Sequence, residues 1–183
     1  TEALVKAKTL TDVARSLGTG GQISVALSDN ADLIAFESGG RWITSSLVDG
    51  DYPKIRSLFP ENSPIHAVVN TSELTEAVKR VALVAERNSP IRLIFSEGQV
   101  TLDAGAGDDA SASEVVPANL DGEEIAVGFN PSYLRDGLGA LSTDMVRFSF
   151  TTAPKPVMLT GQAEDEAADQ QDYRYLVMPV RLS

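Results

Sequence analysis

The sequence predicts an α+β fold in which one pattern, strand–helix–strand–strand–strand, occurs three times. Most apolar segments alternate in polarity with the period of two that strands show, while three segments show helical periodicity. Turn sequences such as SDNAD (28–32) and SEGQ (96–99) separate the alternating segments. The period is about 60 residues, which is longer than that of common solenoid repeats. The pattern therefore indicates compact domains built from repeated β-α-β-β-β units.

The first copy opens with an alternating segment, EALVKA (2–7), which predicts a strand. A short helix is expected over 8–18, where Gly18 ends it. Three strands should follow, over 22–29, 31–39 and 41–55.

The second copy begins with the strand PIHAVVN (64–70), and a helix is expected over 71–88 with Thr71 or Ser72 as its N-cap. Its strands should cover 91–98, 99–106 and 111–118. One apolar stripe of this helix consists of Leu74, Val78, Val81 and Ala85. Leu83 lies on the opposite, polar side, where it is either an ordinary exposed leucine or a subunit contact.

The third copy begins with the strand EEIAVGFN (123–130), followed by a helix over 131–141. Asn130 is a favourable N-cap, and Pro131 suits the first helical position. Strands are expected over 145–152, 155–162 and 173–180. Because one helix and three strands cover a sheet poorly, two copies should pair into one domain. We therefore expect a complete domain over 61–183, an unmatched half domain over 1–60, and an N-terminal truncation.

Composition limits the possible functions. The net charge of −11 argues against broad nucleic-acid binding, although the helices carry Lys and Arg. The chain has no Cys and a single histidine, His66, so neither a thiolate zinc site nor His-based chemistry is expected. Asp108 with Asp109 and Glu123 with Glu124 are the candidate catalytic carboxylates, but no phosphate loop accompanies them. A non-enzymatic β-rich scaffold or adhesin-like binder unrelated to DNA stays an alternative.

Three segments resemble one family: SLVDGDYPKIRSLFP (46–60), GFNPSYLRDGL (128–138) and YLVMPVRL (175–182). They are similar to the bacterial sliding clamp, the β subunit of DNA polymerase III. The resemblance implies domains of two units each, and a head-to-tail homodimeric ring around duplex DNA when the protein is full length. It also implies a cytoplasmic processivity factor with no catalysis, no cofactor and no membrane association. The partners implied are polymerase III α subunit, clamp loader and other clamp-motif proteins.

By this resemblance, residues 1–60 are the second half of the middle domain and 61–183 are the third domain. A chain of this extent is not expected to close a ring. The resemblance implies DNA-facing roles for Lys8, Arg15, Lys79 and Arg80, and Arg87 and Arg135 are further basic residues on the helices. It places Leu83 and Val84 at the subunit interface.

The resemblance also implies a pocket for partner peptides with aliphatic and aromatic anchors. Ser57 stands where the family often has arginine, and Val180 replaces a commoner methionine, so ligand preference should differ. The residues that match pocket positions are Pro53, Ser57, Leu58, Asn130, Tyr133, Pro154, Pro156, Leu176, Val177, Met178, Pro179, Val180, Arg181 and Leu182.

Overall fold

The chain divides into two compact units, Thr1–Lys54 and Ile55–Ser183. The structure is a computed structural model that describes residues 3–17, 21–30, 32–60, 62–85, 89–105, 110–162 and 170–182. The segment FPENSP (59–64) follows the division and so belongs to the second unit. The assignment of 1–60 and 61–183 to domains of a longer protein stays a prediction.

The first unit packs one helix on a three-stranded antiparallel sheet of order β1-β2-β3. Val13 of the helix is buried against Ile34 and Phe36 of the central strand. The strand predicted over 2–7 is wrong for residues 3–6, which form no strand; Leu4 only accepts one backbone hydrogen bond, of 2.9 Å, from Val48. The elements are α1 (Ala7–Leu17), β1 (Ser24–Leu27), β2 (Leu33–Ser38) and β3 (Arg41–Ser46).

The second unit contains both remaining copies in the predicted order, after a short 3₁₀ helix over Ile55–Leu58. The α+β class and the repeat are confirmed here. The second copy comprises β4 (Ile65–Asn70), α2 (Thr71–Val81), β5 (Ile91–Ser96), β6 (Gln99–Ala104) and β7 (Ala112–Asp121). The third comprises β8 (Ile125–Phe129), α3 (Pro131–Gly139), β9 (Met145–Phe150), β10 (Val157–Gln162) and β11 (Gln170–Val177).

The two copies share one sheet of order β11-β10-β9-β4-β7-β6-β5-β8. Strand β4 of the second copy pairs with β9 of the third, and β5 pairs with β8. Each copy therefore covers strand edges that the other would leave open, which explains why two copies form one domain. The core contains a phenylalanine cluster, in which the ring of Phe95 lies 5.2 Å from that of Phe148 and 5.0 Å from that of Phe150.

Both helices of this unit have an asparagine as their N-cap, but only the N-cap of α3 was predicted correctly. Asn130 caps α3, since its side-chain oxygen accepts a 2.9 Å hydrogen bond from the Ser132 backbone. In α2 the cap is Asn70, which accepts from the Glu73 backbone at 3.0 Å, and not Thr71 or Ser72. Asparagine fits here because its backbone is extended while its side chain reaches the first turn.

Helix α2 is also shorter than predicted and ends at Val81. Leu83 and Val84 donate backbone hydrogen bonds to the residues three positions earlier, at 3.1 and 3.4 Å. Such bonds tighten the final turn and replace the helical ladder. Leu83 consequently lies outside the helix.

Candidate functional site

Strand β11 carries the terminal apolar segment and alternates its side chains between two environments. Val177 is buried in the core at 2% exposure, whereas the next residue, Met178, is 61% exposed. Successive side chains of a strand point to opposite faces, so Tyr175 and Val177 share the inner face while Leu176 lies on the other. Of the residues predicted to line a pocket, Val177 thus supports the strand and does not present its side chain at the surface.

The tail that follows β11 is attached to β8, the strand at the opposite edge of the sheet. The Val180 backbone donates a 2.8 Å hydrogen bond to the Gly128 carbonyl. A Cβ atom at Gly128 would lie 2.8 Å from both the Val180 oxygen and a methyl carbon of Leu182. The tail can therefore cross β8 only because position 128 has no side chain. Met178, Val180 and Leu182 are left exposed along this crossing.

Helix α3 is packed against β11 through a second glycine. A Cβ atom at Gly137 would lie 2.5 Å from the ring of Tyr175, so the ring lies directly on the helix backbone. Burial raises the pKa of Tyr175 above its usual value, and the nearby Asp136, Tyr173 and Tyr133 add to the shift. The same helix presents Tyr133, which is exposed, close to its first turn.

The turn between β9 and β10 comes next to the tail. Val157 pairs with Val177 in the antiparallel ladder, and continuing that register sets Pro156 opposite Met178. Pro154 lies in the same turn and is exposed. The predicted prolines are thus brought to the beginning of the exposed tail.

The remaining predicted pocket residues differ in their availability. The Asn130 side-chain oxygen is already used as the cap of α3. Leu58 is exposed at the end of the 3₁₀ helix that also contains Ser57. Arg181 is exposed in the tail, and Pro53 is exposed in the first unit.

The basic residues predicted to face DNA fall into two groups. On α1, Lys8 and Arg15 are exposed. On α2, Lys79 pairs with Glu76 at 2.7 Å, and Arg80 pairs with Glu114 of β7. The hydrogen bond from Lys79, together with its charge, lowers the pKa of Glu76, and the hydrogen bond to Glu114 raises the pKa of Arg80.

Arg135 is exposed on α3, and Arg87 lies outside the described residues. Carboxylates compete with phosphates for a cation. Lys79 and Arg80 are therefore less available to bind DNA phosphates than the sequence alone suggests.

The predicted interface leucine is the most exposed large apolar residue that the structure describes. Leu83 is 84% exposed, while Val84 is partly buried and packs against the core. Val115 of β7 is also exposed.

His66 lies on β4, where Nδ1 is 3.1 Å from the Ser149 hydroxyl and 3.4 Å from Arg147 Nε, so it belongs to a polar row on the sheet. Glu123 and Glu124 follow β7, and Asp108 and Asp109 lie outside the described part. Within that part, no three His, Asp or Glu side chains are grouped to hold a metal. None of the described helices has the length and apolar character needed to span a bilayer.

The sequence-based predictions include neither Gly128 nor Gly137, nor the contact of Arg174 with Phe59, in which the guanidinium carbon lies 5.1 Å from the ring centroid. A glycine within a strand or a helix is itself a signal of close backbone approach, so both glycines could have been noticed. The Phe59–Arg174 contact joins distant parts of the chain and has no local signal.

The chain is similar to proteins of one known family. The family described as DNA polymerase III beta subunit, C-terminal domain, matches residues 56–181. The chain belongs to this family. The beta sliding clamp of Streptomyces coelicolor is 49% identical over 99% of this chain and 49% of its own length. That of Micrococcus luteus is 65% identical over 66% of this chain and 39% of its own length.

Solved clamps share the fold. A DnaN sliding clamp from Pseudomonas aeruginosa, crystallised with griselimycin, matches with a TM-score of 0.88 and 30% identity, over 98% of this chain and 47% of that chain. The chain thus spans about half the length of the clamp relatives it matches. The alternative of a scaffold unrelated to DNA gains no support from these findings.

Proposed function

We propose that this chain is the part of a sliding clamp that receives partner peptides, and that it acts without catalysis. The supporting observation is the exposed tail: Met178, Val180 and Leu182 are apolar, yet they are fixed at the surface by the Val180–Gly128 hydrogen bond. A peptide with a few apolar anchors needs such a preformed surface, because ordering a loose tail would cost binding free energy.

The peptide site we propose has three walls in the second unit. One is the tail from Leu176 to Leu182, and the second is the proline turn beside Met178. Leu58 at the end of the 3₁₀ helix supplies the third, and Tyr133 lies at the rim. Methionine adapts its shape to different anchors, which suits a site that serves several partners. Pro53, Ser57 and Asn130 stay predictions, and Asn130 would contribute mainly by starting α3.

In the whole protein, we propose that the helices face duplex DNA and that Leu83 with Val84 contacts a second subunit. Lys8 and Arg15, both exposed, are the stronger DNA-facing candidates, because Lys79 and Arg80 already pair with carboxylates. The partners would be duplex DNA, polymerase III α subunit, clamp loader and other clamp-motif proteins in the cytoplasm. Topological enclosure would supply retention without base recognition, so no cofactor is needed.

Fluorescence anisotropy with a labelled short peptide that carries aliphatic and aromatic anchors tests the proposed peptide site. We expect saturable binding that is lost when the anchors are changed to alanine. The double variant M178A/L182A should lose binding, whereas L83A, an equally apolar change on a distant surface, should not. Equal binding by the unchanged chain and M178A/L182A would show that the tail is not the site.

A further inference from the structure

Helices α2 and α3 pack on one face of the sheet formed by β9, β10 and β11, and the outer face carries polar side chains. Leu159 and Tyr175 are cross-strand partners on the helix side, and Thr160 and Arg174 are partners on the other side. Thr160 is nevertheless only 1% exposed, and Ser149, on the same outer face of β9, is 2% exposed. Two short polar side chains of this outer face are therefore buried, while Arg174 on the same face is exposed.

Phe59 lies over this outer face at Arg174. The guanidinium carbon of Arg174 is 5.1 Å from the centroid of the Phe59 ring, with Phe59 half-buried and Arg174 exposed. A cation at this distance from an aromatic face is attracted by the ring quadrupole. The contact joins β11 to the segment that precedes β4.

Phe59 directly follows the 3₁₀ helix that ends at Leu58, and its backbone donates to the Arg56 carbonyl at 3.4 Å. Its position therefore limits where Leu58 can lie. Arg174 and Leu176 are two residues apart on β11 and share one face of the strand, about 7 Å apart along it. The Phe59 ring, which is next to Leu58 in the chain, thus contacts the residue that shares a strand face with Leu176.

We propose that Arg174 is a positioning residue for the partner-peptide site, and that its stacking on Phe59 holds the Leu58 wall beside the Leu176 wall. This inference rests on the proposed function, since it concerns the same peptide site. Arginine suits the role because its planar guanidinium stacks on a ring and keeps its charge at any physiological pH. Lysine carries the same charge but lacks the plane, so it should replace arginine only in part.

A double-mutant cycle on peptide affinity tests the proposal, using Arg174→Ala, Phe59→Leu and the pair together. Each single change should weaken binding about threefold, as expected for one exposed cation–π contact. The pair should weaken it no further than either single change, and Arg174→Lys should lie between Arg174→Ala and the unchanged chain. Arg41→Ala is the matched control, because Arg41 is an exposed arginine on β3 of the first unit, whereas the three proposed walls belong to the second unit. It should leave the affinity unchanged.

Methyl NMR spectra supply a readout that a general loss of stability would not produce. In Arg174→Ala the Leu58 methyl signals should shift, while those of the buried Val127 and Leu93 should stay in place. If the unchanged chain binds the peptide and Arg174→Ala binds it equally well, the positioning role is wrong and the peptide site stands. Losses that add in the double variant would also overturn the role, because the two residues would act separately. If the unchanged chain does not bind the peptide, the proposed site itself is wrong.

Discussion

The backbone of Val180 is hydrogen-bonded to Gly128 at 2.8 Å, and this bond joins the tail after β11 to the strand at the far edge of the same sheet. The exposed apolar side chains of the tail are thereby held in one arrangement before any ligand arrives. The bond depends on the absence of a side chain at position 128.

Gly128→Val should displace the tail and weaken peptide binding by about tenfold or more, because a new Cβ would contact the Val180 oxygen and Leu182 at 2.8 Å. The core contacts of β8 should persist, so the midpoint of thermal unfolding should change little. Anisotropy titrations together with thermal unfolding measure the two effects. Gly139→Ala is the control, since a Cβ there meets nothing within 4 Å. Unchanged peptide affinity in Gly128→Val would disprove the role of the crossing.

Leu74 and Leu83 are nine residues apart in the chain, but alanine substitution should change the free energy of unfolding strongly at Leu74 and very little at Leu83. Leu74 is fully buried, so Leu74→Ala should lower the free energy of unfolding by about 2–5 kcal/mol. Leu83 is exposed, so Leu83→Ala should change it by less than about 0.5 kcal/mol in the isolated chain. Chemical denaturation measures both values. A large loss in Leu83→Ala would mean that this side chain is buried in solution, for instance by self-association.

The raised pKa of Tyr175 predicts that the free energy of unfolding depends on pH in the alkaline range. Its pKa is raised in the folded state by burial and by neighbouring acidic groups, so the folded protein holds this proton more tightly than the unfolded chain. The stabilisation is complete below the unfolded pKa of about 10 and is lost as the pH rises through the folded pKa. Denaturation between pH 9 and 11 should show this decline, and Tyr175→Phe should reduce it. An identical pH profile in both proteins would contradict the assignment.

The chain alone should not form a ring. It spans about half the length of the clamp relatives it matches, and the resemblance assigns it only half of the middle domain and the third domain. Light scattering after gel filtration should therefore show no stable ring-sized dimer. Retention on nicked circular DNA, with release when the circle is cut, would refute the prediction, because such release is the mark of topological enclosure.

Much of the fold could be predicted from short-range patterns in the sequence. The alternation of strands, the helical stripe through Leu74 and Val78, and the Asn130–Pro131 helix start are short-range signals, and all three appear in the structure. One strand and the end of one helix were predicted wrongly. The strand expected over 2–7 is absent from residues 3–6, and α2 stops at Val81, because ladder partners and final-turn bonds are decided by neighbours in space.

The residues of the candidate site were predicted less accurately than the fold. Resemblance identified the tail and Leu58, yet it also assigned to the pocket Val177, which is buried, and Asn130, whose side-chain oxygen caps α3 as the sequence predicted. It also gave Lys79 and Arg80 DNA-facing roles, although both side chains have carboxylate partners. Side-chain pairing between distant strands and helices is not encoded in the spacing of a single segment.

The sequence by itself determined the repeat, the α+β class and the family, because periodicity, caps and long motifs are local properties of the chain. Only the tertiary structure decided that the tail crosses from one sheet edge to the other at Gly128, that Tyr175 lies on Gly137, and that Phe59 stacks on Arg174. These contacts join residues far apart in the chain. They depend on how closely two backbones or side chains approach after packing, which composition and periodicity do not specify.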